Sequence, residues 1–141
     1  MKPIYKHTEN GTTICTLRDK SNNVVYGYAH CHEEEPNPSE RVGDYIATIR
    51  AEIKYYKLIR KTELLPQIKT LRHLLACIKN TGSKVYNPDA PEVKLIERQY
   101  NMATADYEAI GELITELNKA LEEYIVQREK LIGQNKANES V

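Results

Sequence analysis

The last third of the chain has apolar residues at alternating steps of four and three, which is the spacing of a heptad repeat. Arg128 is the single polar residue in the series. The apolar positions are Ile96, Tyr100, Ala103, Tyr107, Ile110, Ile114, Leu117, Leu121, Tyr124 and Leu131. The pattern predicts a helix over 92–133, about 60 Å long, with one seam that needs a partner helix. We therefore predict a homo-oligomer, either a dimer or a higher assembly such as a hexamer.

The first 38 residues alternate between apolar and polar positions, which predicts a small antiparallel sheet followed by an acidic loop. We expect strands over 4–8, 12–18 and 24–32, with an Asn-Gly hairpin signal between the first two. Gly27 and Ala29 share one face of the third strand. Because small residues leave room above a sheet, we expect a helix or another backbone to approach that face closely.

Two amphipathic helices are predicted over 39–82. Ser39 is a suitable N-cap, and the apolar residues that follow it recur at helical spacing. Pro66 has no N–H to donate and crowds the preceding turn, so we expect it to break the helical segment and to open the second helix. Gly82 is a suitable stop for that second helix.

The remaining residues divide into a connector, the long helix and a tail. The connector covers 83–91, and Asp89 and Glu92 form a D-x-x-E capping box at its end. Gly133 is expected to end the long helix, with a flexible polar tail over 134–141. The whole pattern predicts a single α+β domain: a small N-terminal antiparallel sheet, then helices, then a long C-terminal heptad-patterned helix that mediates oligomerisation.

Charge is balanced over the whole chain but not along it. There are 20 Lys and Arg residues against 20 Asp and Glu residues. Residues 39–80 carry a net charge of +5 (nine basic minus four acidic), and residues 89–133 carry −5 (five basic minus ten acidic). We therefore expect the basic and acidic helices to pack together, within or between chains. Zero net charge argues against a general nucleic-acid binder, because such domains are usually basic.

Cysteine usage and hydropathy predict a protein of the cytoplasm. Cys15, Cys31 and Cys77 are odd in number and have no paired spacing. No N-terminal stretch has the apolar core of a signal peptide, and no run approaches transmembrane length. We expect no membrane association.

The sequence offers no catalytic or metal-binding constellation, so we predict no enzymatic activity, no metal and no cofactor. His30, Cys31 and His32 are adjacent, but successive strand residues face opposite sides of a sheet and would not converge on a metal. His73 and Cys77 are one helical turn apart on a predicted helix. They fit either a catalytic dyad or, as we favour, a core cysteine beside a surface histidine.

The connector and the first turns of the long helix are the best candidate for a small-molecule site. A helix N-terminus presents free N–H groups and a dipole that favour an anion. A ring that stacks, an Asn or Asp that binds a base or ribose edge, and an arginine that binds phosphate would together hold a nucleotide. The candidate ligand-binding residues are Tyr86, Asn87, Asp89, Arg98, Tyr100 and Asn101. The alternative is that both tyrosines are packing residues and the arginine is a solvated charge.

Two segments resemble small proteins common in phages of Gram-positive bacteria. Residues 27–31 have the pattern G-x-A-x-C, and residues 43–51 have the pattern G-x-x-I-A-x-x-R-A, with an acidic loop between them. With its length and helical second half, the chain resembles the first family of phage Thoeris anti-defence proteins. The resemblance implies an oligomeric sponge, in an infected bacterial cytoplasm, that binds a cyclic ADP-ribose isomer or a cyclic oligonucleotide between protomers without cleaving it.

Two other functions fit the same sequence. A phage accessory module would bind nucleic acid or a protein partner through the basic helices, and a gel-shift assay at low salt would separate it from a sponge. A structural coiled-coil adaptor would form oligomers but would not be stabilised by any nucleotide.

Overall fold

The computed structural model of the chain describes residues 1–30, 40–80 and 87–139, with no account of the side chains of residues 40 and 135–139. It contains a three-stranded antiparallel sheet followed by helices, the last of them long. The predicted α+β fold class is therefore confirmed. The chain divides into two compact units: unit 1 is Met1–Tyr56 with Ile114–Val141, and unit 2 is Lys57–Leu113.

The strands are β1 (Ile4–His7), β2 (Thr12–Arg18) and β3 (Val24–His30), in the sheet order β1-β2-β3. They match the predicted strands closely, and the predicted end of β3 at 31 and 32 lies outside the described residues. The first hairpin is not the two-residue turn that Asn-Gly favours. Gly11 has φ 83°, and a three-residue loop separates Thr8 from Thr12, whose backbones are hydrogen-bonded. This geometry is typical of a type I turn followed by a glycine bulge.

The second hairpin is organised by the Asp19 side chain. Its carboxylate accepts hydrogen bonds from the backbone N–H groups of Ser21 and Asn23, from the Asn23 amide and from the Tyr55 hydroxyl. Asn22 takes the left-handed conformation, with φ 69°, that closes the turn. Hydrogen bonds from Asn23 above all, and also from Tyr55 and Ser21, lower the pKa of Asp19 below its usual value.

We expect the Asp19 turn to make folding stability sensitive to acid. Because the folded pKa of Asp19 is lowered, its contribution is present above the unfolded pKa of about 4 and is lost as pH falls through the lower folded pKa. Asp19→Asn should therefore lower the free energy of unfolding at pH 7 but flatten its pH dependence below about pH 4. Denaturant titrations at several pH values would measure the free energy of unfolding of both proteins. If it fell equally steeply below about pH 4 in the wild type and in Asp19→Asn, the prediction would be wrong.

Helix α1 (Glu40–Ile59) covers one face of the sheet at very short range. A Cβ on Gly27 of β3 would lie 2.5 Å from the backbone N of Ala51 and closer still to the carbonyl oxygen of Ala47. The expectation of a close backbone approach at Gly27 is thus confirmed. The buried residues from this contact and its surroundings are Thr13, Cys15, Leu17, Val25, Ala29, Ala47, Ile49, Ala51 and Ile53. They define the core of unit 1.

Polar contacts fix the edge strand β1 to α1. The Tyr5 hydroxyl lies 2.7 Å from Thr48 Oγ1, and His7 Nε2 lies 2.6 Å from an Asp44 carboxylate oxygen. Beneath these contacts Cys15 is fully buried, and burial raises the pKa of its thiol. A raised pKa keeps this cysteine protonated and therefore a poor nucleophile.

The predicted helix break at Pro66 is replaced by a change of helix type just before the proline. After α1 the chain makes a π-helical turn, the π-turn (Arg60–Leu64), and continues directly into α2 (Leu65–Asn80). The N–H of Leu65 donates to the carbonyl oxygen of Arg60, five residues earlier. The wider turn accommodates a proline that would crowd an ordinary α-helical turn, so the segment stays helical. The predicted stop at Gly82 lies outside the described residues.

Helix α3 (Pro91–Glu139) uses its heptad residues within its own chain. In unit 2, Ala103 packs with Ile68 and Leu71 of α2, and Ile96, Tyr100 and Tyr107 are partly buried against that cluster. In unit 1, Ile114 and Leu121 are buried, and the Tyr124 ring lies 4.4 Å, centroid to centroid, from Tyr45 of α1. The seam therefore has partners inside the chain, and oligomerisation stays a prediction.

Both ends of α3 differ from the prediction. Ala90, not Asp89, holds the N-cap position, because its carbonyl oxygen accepts from the Lys94 N–H and the helix begins at Pro91. At the other end the helix continues through Gly133 to Glu139. One glycine costs a helix about 1 kcal/mol, which the helix-favouring residues around it offset. In the described part of the chain, no helix is both long and apolar enough to cross a membrane.

Candidate functional site

The predicted ligand residues at the start of α3 form a turn. Tyr86 lies outside the described residues. The Asn87 side chain accepts a hydrogen bond from the Asp89 N–H at 3.0 Å, and the Asn87 carbonyl oxygen accepts from Ala90. The Asp89 carboxylate lies 3.8 Å from Lys94 Nζ, and both side chains are exposed. An exposed ion pair of this kind contributes little to stability, so this turn presents its polar groups to solvent.

The three predicted residues on α3 do not lie on one face. Arg98 and Asn101 are exposed and one turn apart, whereas Tyr100 is half-buried against α2. At 100° per residue, Arg98 and Tyr100 point about 160° apart around the helix. Within one chain, Arg98 therefore does not join Tyr100 in a single cluster.

A different arginine stands beside Tyr100. Arg72 of α2 is exposed, and its Nη2 atom lies 3.5 Å from the Tyr100 hydroxyl oxygen. This pair lies at the edge of the packed α2–α3 face in unit 2, where a guanidinium and a phenol are presented together. Sequence reasoning missed Arg72 because only the pairing of α2 with α3 places it there. Its position next to the core residue Leu71 was the available signal.

A second arginine, Arg60, contacts α3 further along the helix. The Arg60 guanidinium stacks on the Tyr107 ring at 3.8 Å, and Arg60 Nε donates to the Tyr107 carbonyl oxygen at 3.2 Å. The same guanidinium lies over Gly111, where a Cβ would come within 2.7 Å of Arg60 Nη2. Arg60 is half-buried and satisfied by these contacts. It anchors the π-turn to α3, and Arg72 is the more accessible of the two arginines.

The face of the sheet that α1 does not cover is a second polar and aromatic surface. Tyr26 and Tyr28 of β3 are each 47% exposed on it. Lys54 of α1 reaches over the Tyr28 ring, with Nζ 5.2 Å from its centroid. Lys6 of β1 lies on the same face by strand alternation. The surface thus offers half-exposed rings beside cations.

The cysteine and histidine residues fall in separate places. Cys15 faces α1, whereas His30 lies on the uncovered face and contacts the Thr12 hydroxyl. Cys77 Sγ lies 3.5 Å from His73 Nε2, but Cys77 is exposed and not in the core, which corrects the expectation for that residue. Among the residues that the structure describes, no three His, Cys, Asp or Glu side chains form a group that could hold a metal ion.

Comparisons with protein-family models, with curated proteins and with solved structures found no match to this chain.

Proposed function

We propose that the chain is a non-catalytic binding protein that captures a cyclic nucleotide signal, a cyclic ADP-ribose isomer or a cyclic oligonucleotide, and holds it uncleaved. The proposal is supported by the sequence resemblance to the phage anti-defence sponges. The observation that carries it is the Arg72–Tyr100 pair, with Arg72 Nη2 3.5 Å from the tyrosine hydroxyl oxygen. The pair supplies an arginine and an aromatic hydroxyl that can together bind the phosphate oxygens of a nucleotide.

The chemistry of this pair suits a phosphate-bearing ring compound. Arginine presents a planar fork of N–H donors that matches phosphate oxygens and keeps its charge at any physiological pH. The Tyr100 hydroxyl can donate to a second oxygen, and its ring is held in place by the α2–α3 core. Because the ring is already packed, little side-chain entropy is lost when a ligand binds.

The two segments that carry the resemblance have a packing role in this structure. Gly27 and Ala51 allow α1 to touch the sheet, and Gly43 leaves room for the Thr13 side chain. These residues support a shared sheet-and-helix architecture. The ligand site has to be supported by other residues, which is why Arg72 and Tyr100 are the ones to test.

The proposal is tested by titrating a cyclic ADP-ribose isomer and a cyclic trinucleotide into the wild type and into Arg72→Ala. Loss of a charged hydrogen-bonding group costs about 1.5–3 kcal/mol, so we expect binding to weaken by about 10- to 100-fold. Lys69→Ala, an exposed cation on the same helix, is the matched control and should bind as the wild type does. Arg98→Ala tests the arginine that the sequence favoured.

Recovery of the ligand tests the non-catalytic part of the proposal. After the complex is denatured, mass spectrometry should find the ligand intact. A hydrolysed product would contradict sequestration, and unchanged binding by Arg72→Ala would contradict the site.

A second candidate function, binding of short single-stranded nucleic acid, is favoured by the uncovered sheet face. Tyr26 and Tyr28 are two residues apart on one strand, so their rings can each stack on a base, and Lys54 lies beside them. Tyr28→Ala should then abolish a gel shift observed at low salt. The absence of any shift with micromolar wild-type protein would exclude this function.

A further inference from the structure

The free edge of the sheet at β3 carries backbone groups that β2 does not use. In an antiparallel pair of strands, hydrogen-bonded residue pairs alternate with pairs whose backbone groups point outwards. At the hairpin the Asp19 N–H donates to the Asn23 carbonyl oxygen, so the register assigns the hydrogen bonds with β2 to the odd-numbered residues of β3. The backbone groups that point away from β2 are therefore those of Val24, Tyr26, Tyr28 and His30.

One side-chain contact agrees with this direction and covers part of the edge. Arg50 of α1 donates from Nη1 to the Tyr28 carbonyl oxygen at 2.8 Å. Among the residues that the structure describes, the outward N–H and C=O groups of Tyr26 have no hydrogen-bond partner, and neither does the Tyr28 N–H. An open strand edge of this kind is a template on which another extended chain can pair.

Two cations lie at this edge. Besides Arg50, Lys54 places its Nζ atom 5.2 Å from the centroid of the Tyr28 ring, on the face that α1 does not cover. Because Lys54 belongs to α1 on the opposite face, its side chain passes around the edge of β3 to reach the ring. In the described ranges, neither cation forms an ion pair with a carboxylate. The edge therefore combines unpaired backbone groups with positive charge.

We propose that the free edge of β3 binds an extended acidic segment of another protein, which adds to the sheet as a further strand. The backbone donors and acceptors of such an edge repeat every two residues, about 6.6 Å, and another β-strand has the same repeat. A carboxylate of the segment that lies opposite Tyr28 meets both Arg50 and Lys54. Arg50 then exchanges the Tyr28 carbonyl oxygen for the carboxylate, which its planar fork of donors binds more strongly, and the carbonyl accepts from the segment.

The charges of the chain itself favour another protein as the occupant. Two copies paired at β3 would bring the Arg50 and Lys54 cations of both chains together, and like charges repel. The other strand at a sheet edge, β1, has the sequence Ile-Tyr-Lys-His and carries no carboxylate. Neither Arg72 nor Tyr100 takes part, so binding at this edge does not depend on the proposed function.

Cations at an open edge have a second known role, because charged side chains also protect edge strands against unwanted pairing. The two roles predict opposite effects of removing the charges. If Arg50 and Lys54 protect the edge, their removal should strengthen the binding of an extended peptide. If they bind a carboxylate, their removal should weaken the binding of an acidic peptide.

Fluorescence anisotropy with the full chain and two labelled peptides of about eight residues separates these roles. The acidic peptide alternates Val and Glu, and the basic peptide alternates Val and Lys. We expect micromolar binding of the acidic peptide and at least about 10-fold weaker binding of the basic peptide. The double variant Arg50→Ala, Lys54→Ala should bind the acidic peptide about 10-fold more weakly than the wild type. Lys69→Glu on α2 makes the same change in net charge away from the edge and should bind as the wild type does.

Amide hydrogen exchange tests the added strand itself. The acidic peptide should slow the exchange of the Tyr26 and Tyr28 N–H groups by at least about 10-fold. Gly27 is the internal control, because its N–H already faces β2. Binding without this protection, tighter binding by the double variant, equal binding of both peptides, or no binding at about 1 mM peptide would each overturn the proposal. So would protection of these amides by a single-stranded oligonucleotide in place of the peptide, which would assign the surface to the second candidate function.

Discussion

Gly27→Ala is expected to lower the free energy of unfolding by at least about 3 kcal/mol, a large share of the 5–15 kcal/mol typical of a domain. The new Cβ would lie 2.5 Å from the backbone N of Ala51 and closer to the carbonyl oxygen of Ala47. Both neighbours are backbone atoms of α1, so no side chain can rotate to relieve the contact. The helix would have to move off the sheet, exposing the core of unit 1. Denaturant unfolding followed by circular dichroism would measure the loss.

Gly133→Ala is the matched control for this prediction. Gly133 lies inside α3, and a Cβ there would meet none of the described residues within 4 Å. The same substitution should therefore stabilise the protein by up to about 1 kcal/mol through helix propensity. If Gly27→Ala were as well tolerated as Gly133→Ala, the close contact between α1 and β3 would be wrong.

Arg60→Ala is expected to cost about 2 kcal/mol. The substitution removes a guanidinium that stacks on the Tyr107 ring at 3.8 Å and donates to the Tyr107 carbonyl oxygen at 3.2 Å. A cation over an aromatic ring contributes about 0.5–2 kcal/mol, and a hydrogen bond from a charged donor contributes about 1.5–3 kcal/mol. Arg60 is only half-buried, so the expected loss of stability lies in the lower part of the combined range. Arg60→Lys keeps the charge, loses the planar contact and should recover little of the stability.

Gly111 provides an internal check on the Arg60 contact. Replacing a helix-interior glycine by alanine usually stabilises by about 1 kcal/mol. Here the Cβ would lie 2.7 Å from Arg60 Nη2 and would displace the guanidinium. Gly111→Ala should therefore bring no gain in the wild type but a gain of about 1 kcal/mol in Arg60→Ala. Equal gains in both backgrounds would contradict the packing of Arg60 on α3.

Local signals predicted the sheet and the close approach to Gly27, because strand alternation and a glycine inside a strand can both be recognised from a few neighbouring residues. Period-two alternation placed the strands, and Gly27 indicated the close approach because few other reasons favour a glycine inside a strand. The turn types were harder to predict from the sequence. Asn10-Gly11 can serve a two-residue turn or a glycine bulge, and the register between β1 and β2 decides which one forms.

The helical half was harder to predict because periodicity does not say which helix fills a seam. The heptad residues of α3 predicted a partner helix from another copy of the chain, which stays a prediction, whereas in unit 2 they pack on Ile68 and Leu71 of α2 in the same chain. The role of Arg72 depends on that pairing, and its position next to Leu71 was the only local signal for it. A proline normally predicts the end of a helix, but the π-turn before Pro66 keeps this segment helical.

The most direct test of the proposed capture of a cyclic nucleotide is a thermal-shift panel of the purified protein against cyclic ADP-ribose isomers, cyclic dinucleotides and cyclic trinucleotides. A ligand present at 100 times its dissociation constant adds about 2.7 kcal/mol to stability. We predict a clear rise in melting temperature with one of these ligand classes, and a much smaller rise for Arg72→Ala. A flat panel from folded wild-type protein would contradict the proposal.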